Sequence, residues 1–145
     1  MLLKHIFTAK IAHSSYILAG KGSCAVIDPQ RDVDAYIMEA RALGVDITRI
    51  IQTHLHADFV SGHIDLAKKT GARIYVAKSA GCSFAHIALS EGDSIELEDM
   101  VLKVLETPGH TPEHLCYVVI DKSRSESPIG VFSGDTLFVS DVGRP

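Results

Sequence analysis

Short apolar runs separated by polar turns divide the chain into strands. An apolar run of four to seven residues between turn signals is typical of a buried strand, and alternation of apolar and polar residues is typical of a half-buried one. Ile95 and Leu97 show the alternation. The continuous runs predict strands at residues 15–18, 25–28, 47–52, 73–76, 101–105, 115–120 and 129–132.

Two other segments follow the spacing of a helix. Apolar residues recur every three or four positions over residues 33–40 and stop before Gly44. A second helix is predicted from about Ser61, as its N-cap, to Gly71, as the glycine after its last turn. Strands and helices that alternate in this way indicate a mixed α/β fold.

The length indicates one domain. A chain of 145 residues buries a substantial core but is too short for two ordinary domains, so we expect residues 1–145 to belong to a single domain. Residues 123–128 are polar and end in proline, which predicts a hairpin connection rather than a linker. The sequence stops at a turn signal, residues 143–145, which predicts a domain that is incomplete at its C-terminus.

Charge and hydropathy narrow the classes of ligand. The net charge of −4 comes from 18 acidic and 14 basic residues without a long run of either sign, which argues against nucleic acid and anionic lipid as partners. We see no signal peptide, transit peptide or membrane span. A small-molecule ligand is therefore expected.

The cysteines favour a reducing compartment. Cys24, Cys82 and Cys116 form no CxxC pair and are odd in number, so we expect a cytoplasmic protein rather than a disulfide scaffold. Cys24 and Cys116 lie in apolar runs, which predicts small core residues instead of nucleophiles.

Polar residues that could bind a metal follow three separate predicted strands. His54, His56 and Asp58 lie in the loop after residues 47–52, and loops at the carboxyl ends of strands are where α/β proteins place their sites. Alone, this loop could also be a solvated, histidine-rich turn. His110 and Asp135 each stand in a tight turn after a later strand, beside a glycine. Three strand ends that each present a ligand predict a shared metal site.

These motifs resemble the metallo-β-lactamase superfamily. Its HxHxDH signature corresponds to HLHADF at residues 54–59, its GH turn to Gly109 and His110, and its GD turn to Gly134 and Asp135. The segments THLHADFVSGH, TPGHTPEH and SGDTLFVSDVGRP are most similar to the persulfide dioxygenases, including forms fused to a rhodanese domain. The resemblance implies a four-layer αββα sandwich, of which this chain covers the first half and the start of the second.

Two departures from the family pattern favour one metal ion over two. Phe59 occupies the sixth position of HxHxDH and cannot bind a metal, and the histidine that the family carries well beyond its GD turn lies outside this sequence. Only Asp58 and Asp135 remain of the second metal's usual ligands. A dinuclear centre with its bridging hydroxide is therefore not expected.

The remaining ligands allow two arrangements. His54, His56 and His110 with one water would form a tetrahedral zinc site for hydrolysis. His54, His110 and Asp135 would form the 2-His-1-carboxylate triad of non-haem Fe(II) oxygenases, with positions open for a substrate sulfur and O₂. The resemblance to persulfide dioxygenases implies the second arrangement, with one Fe(II) per chain, zinc as the alternative, and His56 and Asp58 as supporting groups.

For other polar residues the sequence gives weaker reasons to expect a role in the metal site. Arg144 follows Asp135 closely and could structure the site or bind an anionic substrate, although a turn arginine that faces solvent is an equal alternative. His63 matches no ligand of the family. We expect the other histidines, His5, His13, His86 and His114, to be structural or exposed.

Three functions compete at this point. The leading one is a sulfur dioxygenase that oxidises glutathione persulfide, or a similar low-molecular-weight persulfide, to sulfite. The second is a zinc thioesterase of the glyoxalase II type. The third is a metal-binding fragment without turnover, for which open sheet edges would favour a homo-oligomer.

Overall fold

The computed structural model describes residues 1–144 and, within them, every side chain except that of Lys10. The chain divides into two compact units. The first consists of residues 1–52 and 56–75, and the second of residues 53–55 and residue 76 onwards. None of the helices within residues 1–144 has the length and apolar character needed to cross a membrane.

The first unit is a sheet with two helices in its crossover connections. Strands β1 to β5 follow one another in the sheet, with β1, β2 and β3 antiparallel and β3, β4 and β5 parallel. The parallel pairs are connected through the helices, as parallel strands require. The elements are β1 (Leu2–Thr8), β2 (His13–Ala19), β3 (Ser23–Ile27), α1 (Asp34–Leu43), β4 (Asp46–Ile51), α2 (His63–Thr70) and β5 (Arg73–Ala77), with a 3-10 helix at Ala9–Ile11.

Both helices end immediately before the glycine at which the sequence predicts their end. Gly44 and Gly71 adopt the left-handed conformation, with φ of 70° and 74°, and their N–H groups return to carbonyls of the last turn. The predicted start of α2 at Ser61 is wrong by one position, because Gly62 is the N-cap. The Ser61 hydroxyl donates to the Pro29 carbonyl instead of capping the helix.

Buried polar groups of the first unit are paired within its core. The hydroxyl of Tyr36 lies 2.7 Å from the Ser15 hydroxyl and accepts a hydrogen bond from the Gln30 N–H. Burial raises the pKa of Tyr36 above its ordinary value. Burial, with a contribution from Asp46, also raises the pKa of Cys24 to about 12. The Cys24 thiol therefore stays protonated, as predicted for a core residue.

The second unit is an antiparallel meander. Strands β7 to β10 form a four-stranded sheet in the order β10-β9-β8-β7. Residues 122–127 connect β9 to β10, one position earlier than the predicted hairpin connection. Cys116 is buried in this sheet, also as predicted. The elements are a 3-10 helix at Lys78–Ala80, β6 (Ile87–Leu89), β7 (Ser94–Leu97), β8 (Met100–Glu106), β9 (Leu115–Asp121), β10 (Pro128–Phe132), β11 (Leu137–Phe138) and β12 (Asp141–Val142).

We expect Gly62→Ala to destabilise the protein. A methyl group at Gly62 would lie 2.2 Å from the Gln30 carbonyl oxygen and 2.6 Å from Val33 Cγ1, and a backbone oxygen cannot move aside cheaply. Overpacking of this kind costs about 1–3 kcal/mol. Gly130→Ala is the matched control, because nothing lies within 4 Å of its added methyl group. Urea unfolding should show a lower midpoint for Gly62→Ala alone, and equal midpoints would contradict the prediction.

Candidate metal centre

The first strand-end loop fixes His54 in a buried position. The N–H of Leu115 donates to the Thr53 carbonyl over 2.8 Å, which attaches the backbone beside His54 to the start of β9. The His54 side chain is only 2% exposed. Its Nδ1 lies 2.9 Å from the Thr53 hydroxyl. A proton on Nδ1 that donates to this hydroxyl leaves the lone pair on Nε2 for a metal.

The second loop presents His110 from the turn between β8 and β9. Hydrogen bonds from Thr107 N–H to the His114 carbonyl and from Gly109 N–H to the Thr111 carbonyl close this turn. His110 Nδ1 donates to the Arg144 carbonyl over 2.9 Å. A carbonyl oxygen can only accept, so the proton is on Nδ1 and the lone pair is on Nε2.

The third loop carries Asp135 between β10 and β11. Gly134 adopts a φ of 49°, and the Thr136 N–H donates to the Ser133 carbonyl. Gly143 passes so close that a methyl group there would lie 1.7 Å from the Asp135 carbonyl oxygen. Two glycines are therefore needed to give the Asp135 backbone its path.

The structure brings the side chains of His54, His110 and Asp135 close together. Ligand atoms of His54, His110 and Asp135 all lie within 4.8 Å of one another. Asp135 Oδ2 is 3.9 Å from His54 Nε2 and 3.7 Å from His110 Nε2. The two imidazole rings are 5.1 Å apart and nearly perpendicular, at 88°.

This donor set fits a transition metal. At metal–ligand distances of about 2.1 Å, the ligand atoms of one ion lie about 3.0–3.4 Å apart. The two distances to Asp135 exceed this range by a few tenths of an ångström, and the Asp135 side chain is 46% exposed, so it has room to rotate inward. Two imidazoles and one carboxylate suit iron or zinc rather than calcium or magnesium.

His56 and Asp58 belong to the first unit. His56 Nε2 lies 3.3 Å from Asp28 Oδ1, and both side chains are buried. Asp28 has a positive φ of 49°, an uncommon conformation for a residue with a side chain. Asp58 is exposed. Neither His56 nor Asp58 is in the group of metal-competent residues found within residues 1–144, so their supporting role stays a prediction.

Phe59 and His63 also lie in the first unit. The Phe59 ring is in contact distance of two imidazoles, with centroids 4.3 Å from His13 and 4.5 Å from His56. His63 Nδ1 lies 2.9 Å from the Ser61 hydroxyl. Burial, and then the nearby His56, lower the pKa of His63, which favours its neutral form.

Arg144 contributes to the site through its backbone. Its carbonyl oxygen accepts a hydrogen bond from His110 Nδ1, and the residue is exposed. This bond is a structuring role of the kind predicted, although it does not involve the guanidinium group. Binding of an anionic substrate by that group stays a prediction.

A carboxylate beside the His54 loop is held in its charged form. Burial works to raise the pKa of Glu113, but hydrogen bonds, first from the Leu55 N–H, bring it below its ordinary value. Burial and then this carboxylate raise the pKa of the Cys82 thiol. Cys82 is therefore a poor nucleophile.

His114 is the residue of the site that the sequence did not single out as functional. It is 1% exposed, and its ring is stacked on that of His54 at 5.1 Å and 19°. Its position four residues after His110, in TPGHTPEH, was the available signal. That signal is weak, because a histidine after a turn is usually exposed or structural.

Comparisons with known proteins agree with this geometry. The family model of the metallo-β-lactamase superfamily matches residues 10–145. A hydroxyacylglutathione hydrolase of Polaromonas is 34% identical over 150 residues, which cover 99% of this chain and 55% of that protein.

Two solved structures share the fold. A metallo-β-lactamase from Staphylococcus aureus has a TM-score of 0.94 and 37% identity, with 100% of this chain and 46% of that chain covered. ETHE1 from Myxococcus xanthus has a TM-score of 0.89 and 28% identity, with 99% and 61% covered. The chain thus spans about half the length of the proteins it resembles. With its motifs, its fold and the family model in agreement, the chain belongs to the metallo-β-lactamase superfamily.

Proposed function

We propose that the chain carries the mononuclear iron centre of a persulfide dioxygenase, with His54, His110 and Asp135 as its protein ligands. The observation that supports this most is the approach of two imidazole Nε2 atoms to one carboxylate oxygen, at 3.9 and 3.7 Å. This is the donor set of the 2-His-1-carboxylate triad of non-haem Fe(II) oxygenases.

The proposed reaction converts glutathione persulfide, O₂ and water to glutathione, sulfite and two protons. The outer sulfur loses four electrons, which reduce O₂, so the reaction needs no other oxidant. A bound Fe(II) would supply open coordination positions where a persulfide sulfur and O₂ can meet. Zinc has no accessible second oxidation state and could not supply this chemistry.

The chain's own residues orient the ligands and leave one side of the centre open. His54 is buried, while the side chains of His110 and Asp135 are 33% and 46% exposed. Substrate can therefore reach the centre from the side of His110 and Asp135. The hydrogen bonds at Nδ1 of both histidines keep Nε2 aimed at the ion, which saves reorganisation when it binds.

Phe59 supports a single metal ion. The dinuclear hydrolases of the superfamily have histidine at this position of HxHxDH, and phenylalanine removes that ligand. The contacts of Phe59 with His13 and His56 keep an apolar ring where the family has an imidazole. We propose that this ring disfavours a second ion.

A zinc-dependent thioesterase is the second candidate. Curated relatives named hydroxyacylglutathione hydrolase, at 34% and 40% identity, favour it. This reading would use His56 as a third imidazole, and the Asp28 carboxylate at its Nε2 could support such a role. A metal-binding fragment without turnover is the third candidate, because the chain spans only part of its relatives' length.

The remaining expectations are also proposals. We propose a cytoplasmic protein whose partners are a small thiol or persulfide and O₂, with Arg144 as a contact for an anionic substrate. We further propose a homo-oligomer. Apolar side chains of the β11–β12 hairpin, including Phe138 at 49% and Val139 at 97% exposure, support association with another surface.

Metal analysis and oxygen uptake separate the first two candidates. We expect the purified protein to contain about one iron per chain and to consume O₂ when glutathione persulfide is added, with sulfite as product. Hydrolysis of a hydroxyacylglutathione, measured on the same sample, should be absent. Bound zinc with thioester hydrolysis and no oxygen uptake would establish the second candidate instead.

Replacement of a ligand should strongly weaken metal binding. His110→Ala removes one of three protein ligands, so we expect the affinity for Fe(II) to fall by more than about 100-fold, the upper range for loss of a supporting group. His5→Ala is the control, because His5 is an exposed histidine of β1. Iron content after dialysis measures the effect. Equal iron in both variants would rule out His110 as a ligand.

Replacement of Phe59 tests what limits the number of ions. We expect Phe59→His to raise the metal content above one per chain when zinc or iron is supplied in excess, since it restores a lost ligand. Phe59→Leu removes the ring without adding a ligand, so its metal content should stay at one. An unchanged stoichiometry in Phe59→His would show that Phe59 does not prevent the second site.

A further inference from the structure

His114 contacts the structure around every proposed metal ligand. Its ring is stacked on that of His54 at a centroid distance of 5.1 Å and an angle of 19°. It cannot tilt freely, because it is 1% exposed and closely surrounded. The ring of His54 therefore rests on a fixed, flat support.

The edge of the His114 ring joins the other two ligand-bearing loops. Its Nδ1 lies 3.0 Å from the Thr107 hydroxyl and 3.0 Å from the Thr136 hydroxyl. Thr107 begins the turn that presents His110, and Thr136 follows Asp135 directly. One nitrogen atom is thus within hydrogen-bond distance of both loops.

The packing around the opposite nitrogen explains why position 134 is glycine. A methyl group there would lie 2.6 Å from His114 Nε2 and 2.6 Å from the Thr53 hydroxyl oxygen. The backbone beside Asp135 therefore runs directly against His114 and against the residue that precedes His54. Glycine is required here for space, and it also adopts the φ of 49° at little cost.

We propose that His114 is a positioning residue of the metal centre, which holds the His54, His110 and Asp135 loops at the spacing that an ion requires. This inference rests on the proposed metal centre. Loops that converge from three strand ends lose conformational freedom when they bind an ion, and a rigid buried ring reduces that loss before the ion arrives. His114 acts on the affinity and geometry of the centre and makes no contact with substrate.

Titration of the metal-free protein with Co(II) tests this role. Co(II) occupies sites for iron and zinc, and its visible absorption reports coordination geometry, so affinity and geometry are read without enzyme turnover. We expect His114→Ala to weaken Co(II) binding by about 10- to 100-fold, the usual loss for an outer partner of a ligand, and to change the spectrum. Thr136→Val, which removes one hydroxyl, should show a smaller loss in the same direction.

His114→Phe separates the two contacts of the ring. Phenylalanine preserves a flat ring against His54 but loses Nδ1, so we expect an affinity between those of wild type and His114→Ala. Tyr36→Phe is the control for a general loss of stability, because it removes a buried, hydrogen-bonded hydroxyl in the first unit. It should lower the unfolding temperature and leave the Co(II) affinity unchanged.

The results of these experiments show separately whether the metal centre exists and whether His114 positions it. A wild-type protein that takes up no Co(II) overturns the metal centre and the role of His114 together. Wild-type binding that His114→Phe and Thr136→Val match in affinity and spectrum overturns the role of His114 alone. Thr136→Val hardly changes the volume of the side chain, so it decides the question even where the His114 variants do not fold.

Discussion

The close passage of the Gly134 backbone against His114 and Thr53 is the constraint on which the geometry of the candidate metal centre depends. A side chain at position 134 would occupy the space that these two residues fill, at 2.6 Å from each. Asp135 follows immediately, so backbone packing sets how close its main chain lies to the His54 loop, and rotation of the carboxylate sets the final distance. The centre is in this sense a product of close packing, in which one methyl group would separate the ligands.

Hydrogen bonds then decide which atoms face the ion. Backbone packing brings imidazoles together but leaves their tautomers open, and a wrong tautomer would present an N–H to a cation. The Arg144 carbonyl settles this for His110, and the Thr53 hydroxyl provides the matching partner for His54. The candidate site therefore directs two nitrogen lone pairs at one point without rearrangement, as binding of a cation would require.

The sequence predicts the parts of this protein that depend on local chemistry. The ends of both helices followed from Gly44 and Gly71, because a left-handed residue after the last turn is a local requirement. Turns after apolar strands and the family motifs singled out His54, His110 and Asp135, and the structure places these three side chains close together. These features can be recognised from neighbouring residues, without information on contacts between distant parts of the chain.

The features that the sequence did not predict depend on contacts far along the chain. The strand β1 has only a weak alternation of apolar and polar residues, and β6, β11 and β12 have two or three residues each. Such strands form because they pair with neighbouring strands. The stacked rings of His54 and His114 belong to residues that are 60 positions apart in the sequence. Serine is a common N-cap residue, yet the Ser61 hydroxyl donates a hydrogen bond to the Pro29 carbonyl instead. In each case a contact with a residue distant in the sequence determines the structure, and the local sequence preference does not.

The bond from His110 to the Arg144 carbonyl links the centre to the least strongly paired element of the second unit. The β11 and β12 strands contain two residues each, so the hairpin that leads to Arg144 opens at a low free energy compared with the main sheet. While it is open, His110 loses its acceptor and can rotate away. If an ion binds at the proposed centre, its apparent association constant is the intrinsic one multiplied by the fraction of molecules with the hairpin closed. Occupancy and hairpin order are thus thermodynamically linked, and a bound ion should slow amide exchange at Gly143, whose N–H donates to the Thr136 carbonyl.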